Sequence, residues 1–127
     1  MPQLILVVDD EESILEVVQI VLEGEGYHIQ TRMDSGFLQD FQHIPRLPDL
    51  ILLDVLLSGE DGREICRRIK ADARLHHIPV IMLSAHSDVS KVADTSGADG
   101  FLEKPFDVDA LIAIVEKHLA VSAPNQE

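Results

Sequence analysis

Five short apolar runs alternate along this chain with segments that carry apolar residues at helical spacing. The runs predict strands at residues 4–8, 27–32, 50–53, 80–83 and 100–102. Regular alternation of strands and helices is typical of a parallel sheet that is covered by helices on both faces. The first and third runs are apolar throughout, as central strands are, whereas "YHIQTR" alternates as an edge strand does. We therefore expect one doubly wound α/β domain with five parallel strands and five helices.

The first predicted helix carries more apolar residues than one buried stripe needs. Its residues at helical spacing are Ile14, Val17, Val18 and Val21. Leu15 and Ile20 lie off this stripe, either as exposed single residues or as part of a partner surface. Gly24 and Gly26 end the helix.

Four further helices follow in the sequence. A weak second helix spans 35–41, a third begins near Asp61, and a fourth is marked by Val89, Val92 and Ala93. The last helix opens at Asp107, and its apolar stripe is Val108, Leu111, Ile112, Val115 and Leu119.

Charge and composition limit the classes of partner. The formal net charge of −13 argues against binding to nucleic acid or anionic lipid, whose phosphates would be repelled. No apolar run reaches the roughly 20 residues of a membrane span, and the first run is too short for a signal peptide. The single cysteine, Cys66, is interpreted as an unreactive residue on the third helix. We expect a cytoplasmic location.

Reactive polar residues follow four of the five predicted strands. They are Asp9 and Asp10 after the first, Asp54 after the third, Ser84 after the fourth and Lys104 after the fifth. The carboxyl ends of parallel strands meet at one edge of a sheet, where ligands bind. We therefore expect these side chains to form one site.

The charges in that site predict a divalent cation. Three carboxylates and one ammonium leave an excess of two negative charges, and like charges about 4 Å apart repel by roughly 4 kcal/mol at an effective dielectric near 20. Oxygen ligands favour Mg²⁺. A carboxylate beside Mg²⁺, a hydroxyl and a lysine suits phosphoryl transfer, in which Asp54 attacks phosphorus and becomes an aspartyl phosphate.

Four motifs give this chain a family resemblance over residues 4 to about 119. They are "ILVVDDEES", "PDLILLDVLLSGEDG", "PVIMLSAH" and "SGADGFLEKPF". With these motifs the sequence resembles the receiver domain of two-component response regulators, in the single-domain form of chemotaxis regulators. The resemblance implies a flavodoxin-like fold with strand order 2-1-3-4-5. It also implies that Asp54 accepts a phosphoryl group from a phosphohistidine of a sensor kinase or a phosphotransfer protein.

The resemblance also implies a role for each metal ligand. Asp10 corresponds to the carboxylate that binds Mg²⁺ directly, and Asp9 to the one that acts mainly through water. Asp54 would be both acceptor and ligand, and the backbone carbonyl of Leu56 would complete the set.

Further implied roles concern the phosphoryl group and the response to it. Ser84 and Lys104 would contact the phosphoryl group, and Lys104–Pro105 resembles a cis peptide of the family. Phe101 would turn inward as Ser84 moves, although a permanently packed aromatic is the alternative interpretation. The fourth helix, fifth strand and fifth helix would then present a new surface to an unknown downstream partner. A homodimer through that surface is left open, with Ile114 as a candidate contact.

This sequence departs from the family beside the site. Ser58 stands where the family usually has proline, and Glu60 where it has an apolar residue, from which we expect a more mobile loop. The apolar Leu56 cannot orient an attacking water, so we expect slow autodephosphorylation.

We expect a receiver domain over residues 1–120, followed by a tail or the start of a linker over 121–127. The chain would be a stand-alone regulator, a relay or a piece of a larger protein. We expect no enzymatic activity beyond self-phosphotransfer and slow autodephosphorylation. Two alternatives are a scaffold that ignores phosphate and an Asp-nucleophile phosphatase. The phosphatase ranks lower because such enzymes carry a second acid two residues after the nucleophile, and Leu56 occupies that position here.

Overall fold

The computed structural model describes residues 2–41, 43, 46–57, 59–85 and 97–122. Five parallel strands form the main sheet: β1 Leu4–Val8, β2 His28–Arg32, β3 Leu50–Asp54, β6 Val80–Ala85 and β7 Gly100–Lys104. They lie side by side in the order β2-β1-β3-β6-β7. In chain order these are the five predicted strands, so the predicted order 2-1-3-4-5 is confirmed.

Two elements after β3 were not predicted. The strands β4 Leu56–Leu57 and β5 Glu60–Asp61 pair antiparallel in a small hairpin. The described helices are α1 Glu12–Gly24, α2 Phe37–Asp40, α3 Gly62–Ala71 and α4 Val108–Ser122, the last of which is the fifth predicted helix. The fourth predicted helix lies outside the described residues, and so does Ser58.

The sheet separates two apolar layers. One layer packs α2 and α3 against the sheet through residues such as Phe37, Ile65 and Ile69. The other packs α1 and α4 through residues such as Val18 and Val115. β1 and β3 are buried along their whole length because both layers cover them, whereas β2 is half-exposed at the edge. Within the described part of the chain, no helix is long and apolar enough to cross a membrane.

The buried face of α1 differs from the predicted stripe. Leu15, Val18 and Leu22 face the core, so exposure of Leu15 was a wrong prediction. Val17, placed in the buried stripe, is 49% exposed, and Ile20 is 72% exposed. Apolar residues surround most of this helix, and the sequence therefore left its rotational position undetermined.

Two predicted helix starts are confirmed by capping contacts. The Asp61 side chain accepts a hydrogen bond from the backbone N of Arg63 at the start of α3. The Asp107 side chain accepts one from the backbone N of Ala110 at 2.8 Å, at the start of α4. Both carboxylates satisfy N–H groups that a first helical turn leaves without a partner.

Candidate functional site

The carboxyl edge of the sheet brings together the polar residues predicted for the site. Asp9 directly follows β1, Asp54 ends β3, Ser84 lies in β6 and Lys104 ends β7. Asp9, Asp54 and Ser84 are the buried polar residues of the described chain, and Asp54 and Ser84 are only 6% and 2% exposed. Strand pairing fixes their backbones, because Asp54 lies opposite Leu83 and Ser84 lies opposite Glu103.

Lys104 connects the acidic residues. Its Nζ lies 2.9 Å from Oδ2 of Asp9, 3.2 Å from Oδ1 of Asp54 and 3.6 Å from Oε1 of Glu11. Burial alone would lower the pKa of Lys104, but the hydrogen bonds and charges of Asp9 and Asp54 outweigh it and raise that pKa above 10.5. Lys104 therefore carries a full positive charge at neutral pH. Glu11 is a neighbour that the sequence patterns did not single out.

Asp9 is held from two sides. Its Oδ1 accepts a hydrogen bond from the backbone N of Glu11 at 2.9 Å, and its own N donates to the carbonyl of Arg32 at 3.1 Å. One oxygen of Asp9 thus shapes the β1–α1 turn while the other binds Lys104.

Asp9, Asp10 and Asp54 form the one group that could hold a metal ion among the described residues. Each offers a carboxylate oxygen, and these oxygens lie within 4.8 Å of one another. Burial and the charges of Asp9 and Asp10 together raise the pKa of Asp54 from 3.8 to about 6, against the charge and hydrogen bond of Lys104, which lower it. The set therefore carries more negative charge than Lys104 balances, and its hard oxygen ligands fit Mg²⁺.

Leu56 and Phe101 lie near this edge in different settings. Leu56 begins β4, two residues after Asp54, and its side chain is 70% exposed. Phe101 lies opposite Met82 in the β6–β7 pairing and is partly buried against the layer of α2 and α3. The peptide bond between Lys104 and Pro105 is cis.

A glycine that the sequence patterns did not single out fixes the strand end at Asp54. A Cβ on Gly62 would lie 2.0 Å from the backbone O of Asp54, so no other residue fits without moving that strand end. The N of Gly62 donates to the carbonyl of Val55 at 2.7 Å. The "EDG" segment was a signal for a turn, but only the fold shows what the glycine contacts.

An apolar groove of about 350 Å³ adjoins Lys104. It is lined by Glu11, Ile14, Val17, Lys104, Pro105 and Phe106. The groove lies between the start of α1 and the loop after β7, beside the buried acidic group. Its position exposes apolar surface next to the reactive edge of the sheet.

This sheet order, with a buried acidic group and a lysine at its carboxyl edge, defines a class of signalling domain. The sequence profile of the family "Response regulator receiver domain" matches residues 5–116. The chain belongs to this family, as the sequence motifs predicted.

Individual relatives agree with this assignment. The chain is 40% identical over 113 residues to the DNA-binding dual master transcriptional regulator RpaA of Synechocystis sp.. The aligned region covers 87% of this chain and 46% of RpaA. The chain thus spans about half the length of that curated relative.

Two solved receiver domains have the same fold over nearly their whole length. The receiver domain of NtrX from Brucella abortus is 36% identical with a TM-score of 0.81, covering 91% of this chain and 98% of that one. The signal receiver domain of a histidine kinase from Syntrophus aciditrophicus is 31% identical with a TM-score of 0.86, covering 98% and 96%. The chain is accordingly a phospho-acceptor signalling domain of the two-component type.

Proposed function

We propose that Asp54 is the residue that accepts the phosphoryl group, from a phosphohistidine of a sensor kinase or a histidine phosphotransfer protein. The observation that carries this proposal is the contact of Lys104 Nζ with both Asp9 and Asp54 inside a buried acidic group. A carboxylate oxygen of Asp54 forms the new bond to phosphorus. The bond between phosphorus and the donor histidine nitrogen breaks, and its electron pair stays on that nitrogen.

Four groups of this chain would hold Mg²⁺. Asp10 and Asp54 would bind it directly, Asp9 through water, and Leu56 through its backbone carbonyl. The excess negative charge of the acidic group supports this assignment. Bound Mg²⁺ supplies positive charge that offsets both the carboxylates and the phosphoryl oxygens.

Lys104 and Ser84 would bind the phosphoryl oxygens after transfer. The Lys104 ammonium is already at the Asp54 carboxylate and offsets negative charge there. The Ser84 hydroxyl, in the strand beside Asp54, donates a hydrogen bond to a second oxygen. Movement of Ser84 would vacate space that Phe101 fills, which changes the surface formed by β7, α4 and the fourth predicted helix.

The partner surfaces follow from exposure and charge. Exposed Val17 and Ile20 on α1, with the groove beside Lys104, suit the docking of a helical phosphohistidine donor. The net charge of −13 argues against nucleic-acid binding by this domain. The changed surface at β7 and α4 would bind a downstream protein or a second copy of this chain. The domain would span residues 1–120 and act in the cytoplasm.

The first test is the intact mass of the protein after incubation with acetyl phosphate, with and without Mg²⁺. We expect a gain of one phosphoryl group in the wild type with Mg²⁺, and none without Mg²⁺ or in Asp54→Asn. Asp49→Asn is the matched control, because Asp49 is an acid at the opposite end of the same strand, where its side chain accepts from the N of Leu4.

Two results would contradict the proposal. An adduct that persists in Asp54→Asn would place the acceptor elsewhere. No adduct on folded wild type in saturating Mg²⁺, together with no binding of beryllofluoride, would favour a receiver-like scaffold that ignores phosphate.

A further inference from the structure

Glu60 joins two loops at the carboxyl edge of the sheet. Its Oε1 accepts a hydrogen bond from the backbone N of Ser35 at 3.0 Å, and its Oε2 accepts one from the Ser35 hydroxyl. Both residues are half-buried and lie 25 positions apart in the chain. Charge-assisted hydrogen bonds of this kind are stronger than neutral ones, so the contact is a firm link between the hairpin of β4 and β5 and the loop before α2.

The loop that Glu60 holds is the one that follows Asp54. Within it, Leu57 pairs with Glu60 and Leu56 pairs with Asp61. The contact of Gly62 with the backbone of Asp54 and Val55 fixes the base of this loop. The Glu60–Ser35 contact fixes its outer strand, so the hairpin is held at two separate places. Glu60 therefore acts against the mobility that its departure from the family pattern led us to expect.

Glu60 is not a member of the acidic group itself. In the described part of the chain, the carboxylates that approach one another closely enough for a metal are those of Asp9, Asp10 and Asp54. Both oxygens of Glu60 are instead occupied by Ser35. Its influence on a metal would therefore pass through the loop and not through coordination.

We propose that Glu60, through Ser35, is a positioning residue for the loop that presents the Leu56 carbonyl to Mg²⁺. A backbone ligand cannot be reoriented by a side-chain rotation, so its placement depends on how firmly the loop is held. The tether places this ligand before the metal binds and thereby tightens binding. The inference rests on the proposed function, because it requires Leu56 to be a ligand of Mg²⁺.

Two variants weaken the tether in different ways. Glu60→Gln removes the charge and keeps the shape, whereas Ser35→Ala keeps the charge and removes the hydroxyl donor. Ser35→Thr retains the hydroxyl, and Glu16→Gln removes one charge at an exposed position of α1. The two measurements are the Kd of Mg²⁺ by calorimetry, and amide hydrogen exchange of residues 56–61 in metal-free protein.

We expect both tether variants to weaken Mg²⁺ binding by about three- to tenfold, the effect of losing one or two hydrogen bonds. Exchange at residues 56–61 should become faster by a similar factor. The double variant should lose less than the sum of the two single losses, because both changes act on one contact. Ser35→Thr and Glu16→Gln should keep the wild-type Kd.

Four results would overturn the inference. Faster exchange with an unchanged Kd would show that the tether is only structural, and unchanged values of both would show that it holds nothing. A weakened Kd in Glu60→Gln but not in Ser35→Ala would assign the effect to charge alone. A wild type that does not bind Mg²⁺ would remove the proposed function as well, whereas a wild type that binds it leaves the proposed function intact.

Discussion

At the scale of single residues, the site is a buried group of acids that one ammonium only partly balances. Lys104 contacts Asp9 and Asp54 closely and Glu11 at longer range. This excess of negative charge affects the ionisation of Asp54, because burial and the neighbouring acids raise its pKa to about 6. The carboxylate that the proposed chemistry needs in its ionised form is thus the one whose ionisation the folded chain disfavours when no metal is present.

The raised pKa of Asp54 predicts a pH-dependent effect of Asp54→Asn on stability. Its pKa is higher in the folded chain than the 3.8 expected when unfolded, so ionisation costs stability as pH rises from about 4 to about 6. Metal-free Asp54→Asn should therefore exceed the wild type at pH 8 by on the order of 1–2 kcal/mol in free energy of unfolding. At pH 4 the two should be nearly equal, as measured by urea unfolding.

Asp109→Asn is the control for this comparison, since Asp109 is exposed in the first turn of α4. It should show no comparable gain at pH 8. A stability difference between Asp54→Asn and the wild type that is the same at pH 4 and pH 8 would contradict the assigned pKa.

The exposed side chain of Leu56 predicts a long-lived phosphorylated state. Leu56 lies two residues after Asp54 and has no polar atom with which to orient a water. Leu56→Asn should speed the loss of the phosphoryl group by about tenfold, which corresponds to one productive hydrogen bond. Decay of the adduct followed by intact mass measures this rate, with Leu56→Met as a control that changes shape but adds no hydrogen bond to water. Equal lifetimes in all three proteins would refute the hypothesis.

At the scale of elements, α1 has one buried and one exposed apolar face. Val18 is fully buried against the sheet, whereas Ile20 on the same helix is 72% exposed. A helix of this kind cannot be oriented by its own periodicity, because both faces read as apolar. Packing against β1 and α4 decides which face is inside, and the remaining face is available for a partner.

Matched substitutions on α1 should separate the contribution of the buried face to stability from that of the exposed face to partner docking. Val18→Ala should lower the free energy of unfolding by about 2 kcal/mol, because it leaves a cavity in a fully packed layer. Ile20→Ala should change stability by less than about 0.5 kcal/mol. If α1 docks the phosphohistidine donor, Ile20→Ala should slow transfer from a histidine donor and leave phosphorylation by acetyl phosphate unchanged. A large loss of stability in Ile20→Ala would contradict the assigned face.

At the scale of the whole molecule, the sheet order places the end of β3 between the ends of β1 and β6. This arrangement collects charges from distant parts of the sequence at one edge. A chain with a net charge of −13 and a buried acidic group repels itself in the folded state. A bound divalent cation should therefore stabilise the entire domain.

Mg²⁺ should raise the thermal unfolding midpoint of this protein. At ten times its Kd, a ligand that binds only the folded state adds about 1.4 kcal/mol to the free energy of unfolding. Asp10→Asn should lose most of this gain, because it removes a proposed direct ligand. NaCl at equal ionic strength is the control, and an equal rise with NaCl would show general screening and not a site.

The sequence by itself determined the order of the elements and the residues that follow each strand. Short apolar runs alternating with helical segments allow few solutions other than a parallel sheet, and all five strands of that sheet were predicted within two residues of their bounds. Polar residues directly after apolar runs were informative because burial of such groups is costly without a reason.

Only the tertiary structure decided which of these residues touch. Periodicity does not measure distance between elements, so it could not show that Lys104 bridges Asp9 and Asp54, or that Leu15 and not Val17 faces the core. The contact of Glu60 with Ser35 joins two loops, and no pattern in the sequence relates one loop to the other. Each of these contacts depends on how the layers pack in three dimensions, and that information is not local to any stretch of the chain.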